Sequence, residues 1–168
     1  GRIIYLVDQG KLRGLKFPHF PFDPSAQGKF SLSLAFGQSK YYVDNLSENV
    51  KRGMRQKLRN GILPSKAPLG YLNDRARKCI VIDPERAPLV RKAFELYASG
   101  NFSIGEVKEI VDRLGFKTWS GKPVGRSSYF FIVHNPIYYG VIRYAGESYE
   151  GKHDPIISKR LFDLAQSV

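Results

Sequence analysis

The chain has 168 residues, 42% of them hydrophobic and 13% aromatic, which suits one globular domain or a small domain with an appendage rather than a disordered protein. Lysine and arginine number 27 against 15 aspartate and glutamate, and this net charge of +12 favours nucleic acid as a partner over acidic proteins or lipid. The single cysteine, Cys79, excludes an internal disulfide framework and a cysteine-rich zinc site. No apolar run approaches the roughly 18 residues of a membrane span, so we expect a cytoplasmic protein without a membrane partner.

The first segment predicts a short buried strand followed by a proline-rich loop. Residues 2–7 (RIIYLV) form an apolar, β-branched run, and residues 11–24 contain three prolines. No second strand follows that could pair with the first, and a single strand cannot form a domain. We therefore expect this segment to be the end of a domain whose earlier part lies upstream.

Residues 25–60 contain no proline and predict one helix, about 50 Å long if unbroken. Pro24 with Ser25 provides a start signal, and Asn60 with Gly61 provides a stop signal. Arg52, Arg55 and Arg59 fall opposite a stripe of apolar residues, namely Val43, Leu46, Val50, Met54 and Leu58. The stripe indicates a protein partner and the arginine face a polyanion. A solvated basic face on an ordinary amphipathic helix is the alternative.

Residues 61–70 (GILPSKAPLG) predict an extended linker, because Pro64 and Pro68 disfavour helix at the residues before them. Lys66 lies between the two prolines and is a candidate DNA contact, since small residues with one cation can follow a groove without bulk. A plain interdomain linker is the alternative.

Residues 71–168 predict a small domain with short helices and two hairpins. One hairpin is predicted over 71–82 around a polar turn at residues 73–78, and the other over 140–151 around Gly146. Four helix starts are predicted, at Asp83-Pro84, at Ser103 with Glu106 as a capping box, at Arg126 and after Ser158. The predicted fold class is α+β and mostly helical, with a long N-terminal helix joined to a small helix-turn-helix-like domain.

The third helix of this domain, residues 126–135, carries the candidate base-reading residues. Its first residues are placed to enter a DNA major groove, with Arg126 pairing with guanine and Ser127, Ser128 and Tyr129 reaching phosphate or base. Phe130, Ile132 and Val133 are predicted to face the core. The alternative is that Ser127 caps the helix and Arg126 is merely solvated.

No catalytic residue, metal site or cofactor is predicted. The histidines His19, His134 and His153 are far apart and lack ligand spacing. No nucleophile motif, phosphate-binding loop or paired-carboxylate signature is present. Trp119, in a short wing-like segment at 116–124, is predicted to pack that wing against the helices, and a wedge into nucleic acid is the alternative.

Five blocks in their order resemble the large serine recombinases, a family of site-specific DNA integrases and transposases. They are DNLSENVKRGMRQKLRNG, APLGY, DPERAPLVRKAFELYASGNFS, HNPIYYGVI and YEGKHDPIIS. The resemblance implies that residues 1–60 are the end of a catalytic domain with its long helix, 61–70 a groove-following linker and 71–168 a recombinase DNA-binding domain. It also implies attack of a serine hydroxyl on a DNA phosphodiester, giving a phosphoserine link, with no metal or nucleotide.

The sequence departs from the family pattern in ways that limit what the resemblance implies. The family's nucleophilic serine and its zinc-ribbon cysteines have no counterpart here, and Glu48 is followed by Asn49 where many members carry Glu-Arg. We therefore expect DNA positioning and an assembly surface, in a homo-oligomer on double-stranded DNA, from a bacterial or phage-encoded protein. A stand-alone helix-turn-helix repressor and a helix-mediated oligomerisation module are the alternative functions.

Overall fold

The computed structural model describes residues 2–12, 15–17 and 22–168, so that His19 lies outside the described residues. The chain divides into two compact units, residues 1–53 and residues 54–168. The described elements are six α-helices, one 3-10 helix and two separate two-stranded antiparallel sheets. The predicted fold class, mostly helical α+β with a long N-terminal helix and short hairpins, is confirmed.

The first unit contains α1 (Arg2–Asp8) and most of α2 (Ala26–Arg59). The strand predicted over residues 2–7 is wrong, because these residues form α1. A helix satisfies its backbone hydrogen bonds within itself, whereas a strand needs a neighbour, and the described residues of this unit include no strand element. The Lys29 ammonium, on α2, pairs with the Asp8 carboxylate at 2.5 Å.

The long helix predicted over residues 25–60 is confirmed as α2, which has 34 residues. The Ser25 hydroxyl accepts a hydrogen bond from the Gly28 N–H at 3.2 Å, so Ser25 does supply a start signal. Gly61 follows the helix with a φ of +70°, a left-handed conformation that glycine adopts without strain.

The second unit contains the remaining elements in a compact arrangement. They are β1 (Tyr71–Asp74), β2 (Cys79–Ile82), α3 (Ala87–Ala98), α4 (Ile104–Arg113), α5 (Arg126–Val133), a 3-10 helix (Pro136–Tyr139), β3 (Val141–Tyr144), β4 (Glu147–Glu150) and α6 (Lys159–Gln166). Both predicted hairpins are confirmed: Tyr71 pairs with Ile82 in the first, and Val141 pairs with Glu150 in the second.

Local hydrogen bonds explain where the helices of this unit begin. The Ser103 hydroxyl accepts from the Glu106 N–H while the Glu106 carboxylate accepts from the Ser103 N–H at 2.8 Å, which is the predicted capping box. Ser158 caps α6 as predicted. The start predicted at Asp83 is wrong, because the Asp83 carboxylate accepts the N–H groups of a turn, and α3 begins only after Arg86.

The core of the second unit lies among α3, α4, α5, α6 and the chain that precedes β1. Its side chains without exposed surface include Tyr71, Val90, Phe94, Val107, Val111, Tyr129 and Val133. Residues 61–70 take part in it: Ala67 is buried, the Gly61 carbonyl accepts from the Lys152 N–H at 2.9 Å, and the Tyr138 hydroxyl donates to the Leu69 carbonyl at 2.9 Å. The last turn of α2 also belongs to this unit, since Leu58 is buried.

Candidate nucleic-acid interface

The end of α2 presents exposed arginines beside the second hairpin. Arg55 and Arg59 are exposed and have no carboxylate partner within the described residues. The hydrogen bond from the Tyr149 hydroxyl to Glu147 raises the pKa of Tyr149, and the positive charges of Arg55 and Arg59 oppose that rise. These arginines therefore lie close enough to β4 to act on its tyrosine electrostatically. Arg52 is also exposed and belongs to the first unit.

Lys66 contacts the wing formed by residues 116–124. Its ammonium lies 4.7 Å from the centroid of the Trp119 ring, which is a cation–π distance. The wing turns at Gly121 and is closed by a hydrogen bond from the Thr118 N–H to the Lys122 carbonyl at 2.9 Å. Trp119 is predicted to pack the wing against the helices. In the structure its ring contacts Lys66 and the residue is 41% exposed.

An ion pair between a half-buried arginine and a buried aspartate fixes the base of the wing. The Arg86 guanidinium lies 2.8 Å from the Asp83 carboxylate, and its Nε donates to the Lys117 carbonyl at 3.0 Å. Burial acts to raise the pKa of Asp83, but the hydrogen bonds from Arg86 and from the N–H groups of the turn outweigh it, and the pKa is lowered. The Asp83 carboxylate therefore stays ionised and holds Arg86 against the wing.

The first turn of α5 is open to solvent. Arg126 and Ser127 are exposed and Ser128 is half-buried. Gly125 is the N-cap and no side chain caps the helix, so the alternative that Ser127 caps it is wrong. The Arg126 guanidinium lies beside α4, with its Cζ 3.9 Å from the point where a Cβ on Gly105 would stand. Three predicted reading residues thus lie together, at an end of α5 that carries positive charge.

Tyr129 does not belong to this exposed set, so its prediction as a DNA contact is wrong. Its side chain has no exposed surface, and its hydroxyl donates to the Asp112 carboxylate at 2.7 Å. Burial raises the pKa of Tyr129, and the hydrogen bond to Asp112 raises it further. Tyr129 shares the inward face of α5 with Ile132 and Val133, as residues three and four apart on a helix must.

Phe130 takes the opposite side, so its prediction as a core residue is wrong. Phe130 is 51% exposed and Phe131 is 69% exposed. Together with Ile104, Arg126 and Ser127 they line an open cavity of about 360 Å³. The exposure of Phe131 was not predicted from the sequence. The available signal was the run YFFIV, which is apolar throughout and so cannot turn every side chain inward from a helix.

The two described histidines serve internal contacts. The Nε2 atom of buried His153 lies 2.7 Å from the Ile137 carbonyl, and Nδ1 of His134 lies 2.8 Å from the Phe130 carbonyl. Within residues 2–12, 15–17 and 22–168, no group of three histidine, cysteine or acidic side chains is placed to hold a metal ion. No helix in this described part is long and apolar enough to cross a membrane.

Two solved structures share the fold, each with a TM-score of 0.60 and 23% identity over 71% of this chain. One is described as "Sequence Requirements of the Listeria innocua prophage attP site" and the other as "Crystal Structure of a LSR-DNA Complex". The matched region spans 50% of the first protein and 37% of the second. No curated protein matches this chain. The Recombinase family profile matches residues 84–168, from the turn before α3 to the end of α6, and the chain therefore belongs to the Recombinase family.

Proposed function

We propose that this chain is the DNA-binding and assembly segment of a site-specific serine recombinase, which integrates or rearranges DNA through a phosphoserine intermediate. The observation that carries the proposal is the Recombinase match over residues 84–168, since that region contains α5 with its exposed Arg126. The net charge of +12 agrees with a polyanionic partner. One protein of the same fold is described as a complex with DNA, which supports this choice of polyanion.

Within this proposal, positioning and reading belong to different parts of the chain. Arg52, Arg55, Arg59 and Lys66 bind phosphates or line the minor groove, because each of these four side chains is exposed and positively charged. Arg126, Ser127 and Ser128 read base edges in the major groove, with α3, α4 and α5 acting as a helix-turn-helix variant. A guanidinium at the start of such a helix matches the two acceptors on the guanine edge.

The same proposal extends to the domain organisation. Residues 1–60 are the end of the catalytic domain, 61–70 is the linker that follows the groove, and 71–168 is the recombinase DNA-binding domain. The nucleophilic serine belongs to another part of the protein, and this segment positions the DNA for it. The protein acts in the cytoplasm of a bacterium, bound to DNA and encoded by the bacterium or by a phage.

The first unit supplies the assembly surface. Several large apolar and aromatic side chains of α2 are about half exposed or more. They include Phe30, Leu34, Tyr41, Tyr42, Val43, Leu46 and Val50, whereas Leu32 is buried. Such a concentration of apolar surface favours self-association through α2. Light scattering of the chain should give a mass above that of one copy at micromolar concentration. A monomer at all usable concentrations would contradict this part of the proposal.

A salt titration separates positioning from reading. The preferred site is first selected from random duplexes, and Kd is then measured by fluorescence anisotropy on that site and on a scrambled one. Arg55→Ala should weaken binding to both duplexes and reduce the slope of log K against log salt by about one unit. Arg126→Ala should weaken the binding free energy by about 1–3 kcal/mol on the selected duplex and change it little on the scrambled duplex.

The matched control is Arg77→Ala, which removes the same charge from a residue already paired with Asp74 at 3.7 Å. It should leave both the slope and the preference nearly unchanged. Equal losses on both duplexes for Arg126→Ala would show that α5 does not read bases. Absence of any salt-dependent DNA binding by the unmodified chain would refute the proposed function.

A further inference from the structure

The exposed face of α5 carries two kinds of chemistry one turn apart. Arg126 and Ser127 begin the helix, and Phe130 and Phe131 follow each of them by four residues, on the same side. Four residues correspond to a rise of about 6 Å, which is close to two base-pair steps of a duplex. A helix that places Arg126 on one base pair therefore places the two phenylalanines one or two base pairs away.

The exposed aromatic pair is held in place by its neighbours. The Phe130 ring stacks on His134 with centroids 4.1 Å apart, and His134 in turn lies 6.4 Å from Tyr97 of α3. Phe131 meets Phe130 edge to face at 6.1 Å. Ile104, at the start of α4, lines the cavity from the neighbouring helix. Because these rings are braced from one side, they present a shaped apolar surface on the other.

The charge around this cavity indicates what occupies it. Arg126 lines the cavity together with the aromatic pair, and α5 contains no acidic residue. A partner that brings an apolar group next to negative charge fits this combination. The major groove of DNA offers one apolar group on its base edges, the 5-methyl group of thymine, with phosphates on either side.

We infer that Phe130, Phe131 and Ile104 form a pocket for a thymine 5-methyl group, within two base pairs of the pair that Arg126 contacts. This inference rests on the proposed function and makes it more specific. The cavity of about 360 Å³ has room for a methyl group and the adjoining pyrimidine edge. The pocket selects thymine over cytosine, whose edge at the same place has no methyl group.

The test removes the methyl group from the DNA and leaves the protein unchanged. Each thymine of the selected site is replaced in turn by deoxyuridine, which keeps base pairing and charge, and Kd is measured with the whole chain. Replacement of one or two thymines close to the base pair that Arg126 contacts should weaken binding about fourfold, which is the factor expected for burial of one methyl group. Where a T·A pair is changed to C·G, 5-methylcytosine should recover affinity relative to cytosine.

Protein variants then assign the effect to the pocket. The deoxyuridine effect should fall below twofold in Phe131→Ala and persist in Phe131→Leu, which keeps an apolar side chain and guards against a folding defect. Leu114→Ala is the matched control, since Leu114 is 55% exposed at the end of α4 and does not line the cavity. It should retain the full effect.

Several outcomes would overturn the inference. Sequence-specific binding without any deoxyuridine effect would overturn it while the proposed function stands, whereas a chain that binds no DNA would overturn both. A deoxyuridine effect that survives in Phe130→Ala and Phe131→Ala would assign the methyl contact to other residues. A change of mass by light scattering in Phe131→Ala, with the deoxyuridine effect intact, would make this face a protein–protein interface.

Discussion

Replacement of Tyr129 by phenylalanine tests the division of α5 into an inner and an outer face. The Tyr129 hydroxyl donates to one oxygen of Asp112 at 2.7 Å, and Lys108 contacts the other oxygen at 2.6 Å. A hydrogen bond to a charged group contributes about 1.5–3 kcal/mol, and loss of this one leaves Asp112 with Lys108 and with water. Because the Asp112 side chain is 23% exposed, we expect a loss at the lower end of this range, about 1.5 kcal/mol in the free energy of unfolding. This loss corresponds to about a tenfold change in the folded-to-unfolded ratio.

Urea unfolding followed by tryptophan fluorescence is the appropriate assay. Trp119 is the single tryptophan, and it lies in the same compact unit as Tyr129, so its signal reports the unit that the substitution perturbs. The midpoint should fall with an unchanged slope m. Tyr97→Phe is the matched control, because the Tyr97 hydroxyl makes no hydrogen bond to any described residue.

The same variant also has an expected result on DNA. Since Tyr129 has no exposed surface, Tyr129→Phe should bind the selected site with the affinity of the unmodified chain under conditions where both are folded. If Tyr129→Phe weakens DNA binding several-fold and leaves the urea midpoint unchanged, Tyr129 contacts DNA and the orientation of α5 is wrong.

Two further substitutions test the contacts that hold the second unit together. The folded-state pKa of Asp83 lies below its usual value, so the ionised carboxylate stabilises the folded state. This contribution to the free energy of unfolding is complete above about pH 5 and declines as the pH falls below about 4. The loss of stability in Asp83→Asn should therefore shrink from about pH 7 to about pH 3. A loss that is constant over this range would contradict the role of the Asp83–Arg86 pair. Gly61→Ala should lower the free energy of unfolding by about 1–2 kcal/mol more than Gly100→Ala does. Both glycines have a positive φ, but a Cβ at Gly61 would lie 2.8 Å from the Lys152 side chain, whereas a Cβ at Gly100 would lie in open space. Equal urea midpoints for the two variants would refute this reasoning.

Features set by neighbouring residues could be predicted from the sequence. The long helix follows from a proline-free stretch between Ser25 and Gly61, and the capping box of α4 follows from Ser103 and Glu106. The first hairpin follows from short apolar runs around a polar turn, and the second follows from a glycine turn at Gly146. The composition also indicates a polyanionic partner, because the net charge depends on the residue counts and not on how the chain folds.

The tertiary structure alone decided which side of each element faces inward. An apolar run such as YFFIV fits either orientation of α5, and packing against α4, where Asp112 accepts the Tyr129 hydroxyl, turned Tyr129 in and Phe130 and Phe131 out. Residues 2–7 became a helix because a strand depends on a partner that the local sequence does not specify. Residues 61–70 are predicted to be an extended linker, and their hydrogen bonds to Lys152 and Tyr138, far along the chain, could not be predicted from local sequence. Local pattern thus determined where the elements lie in the chain, whereas contacts between distant residues determined what each element buries.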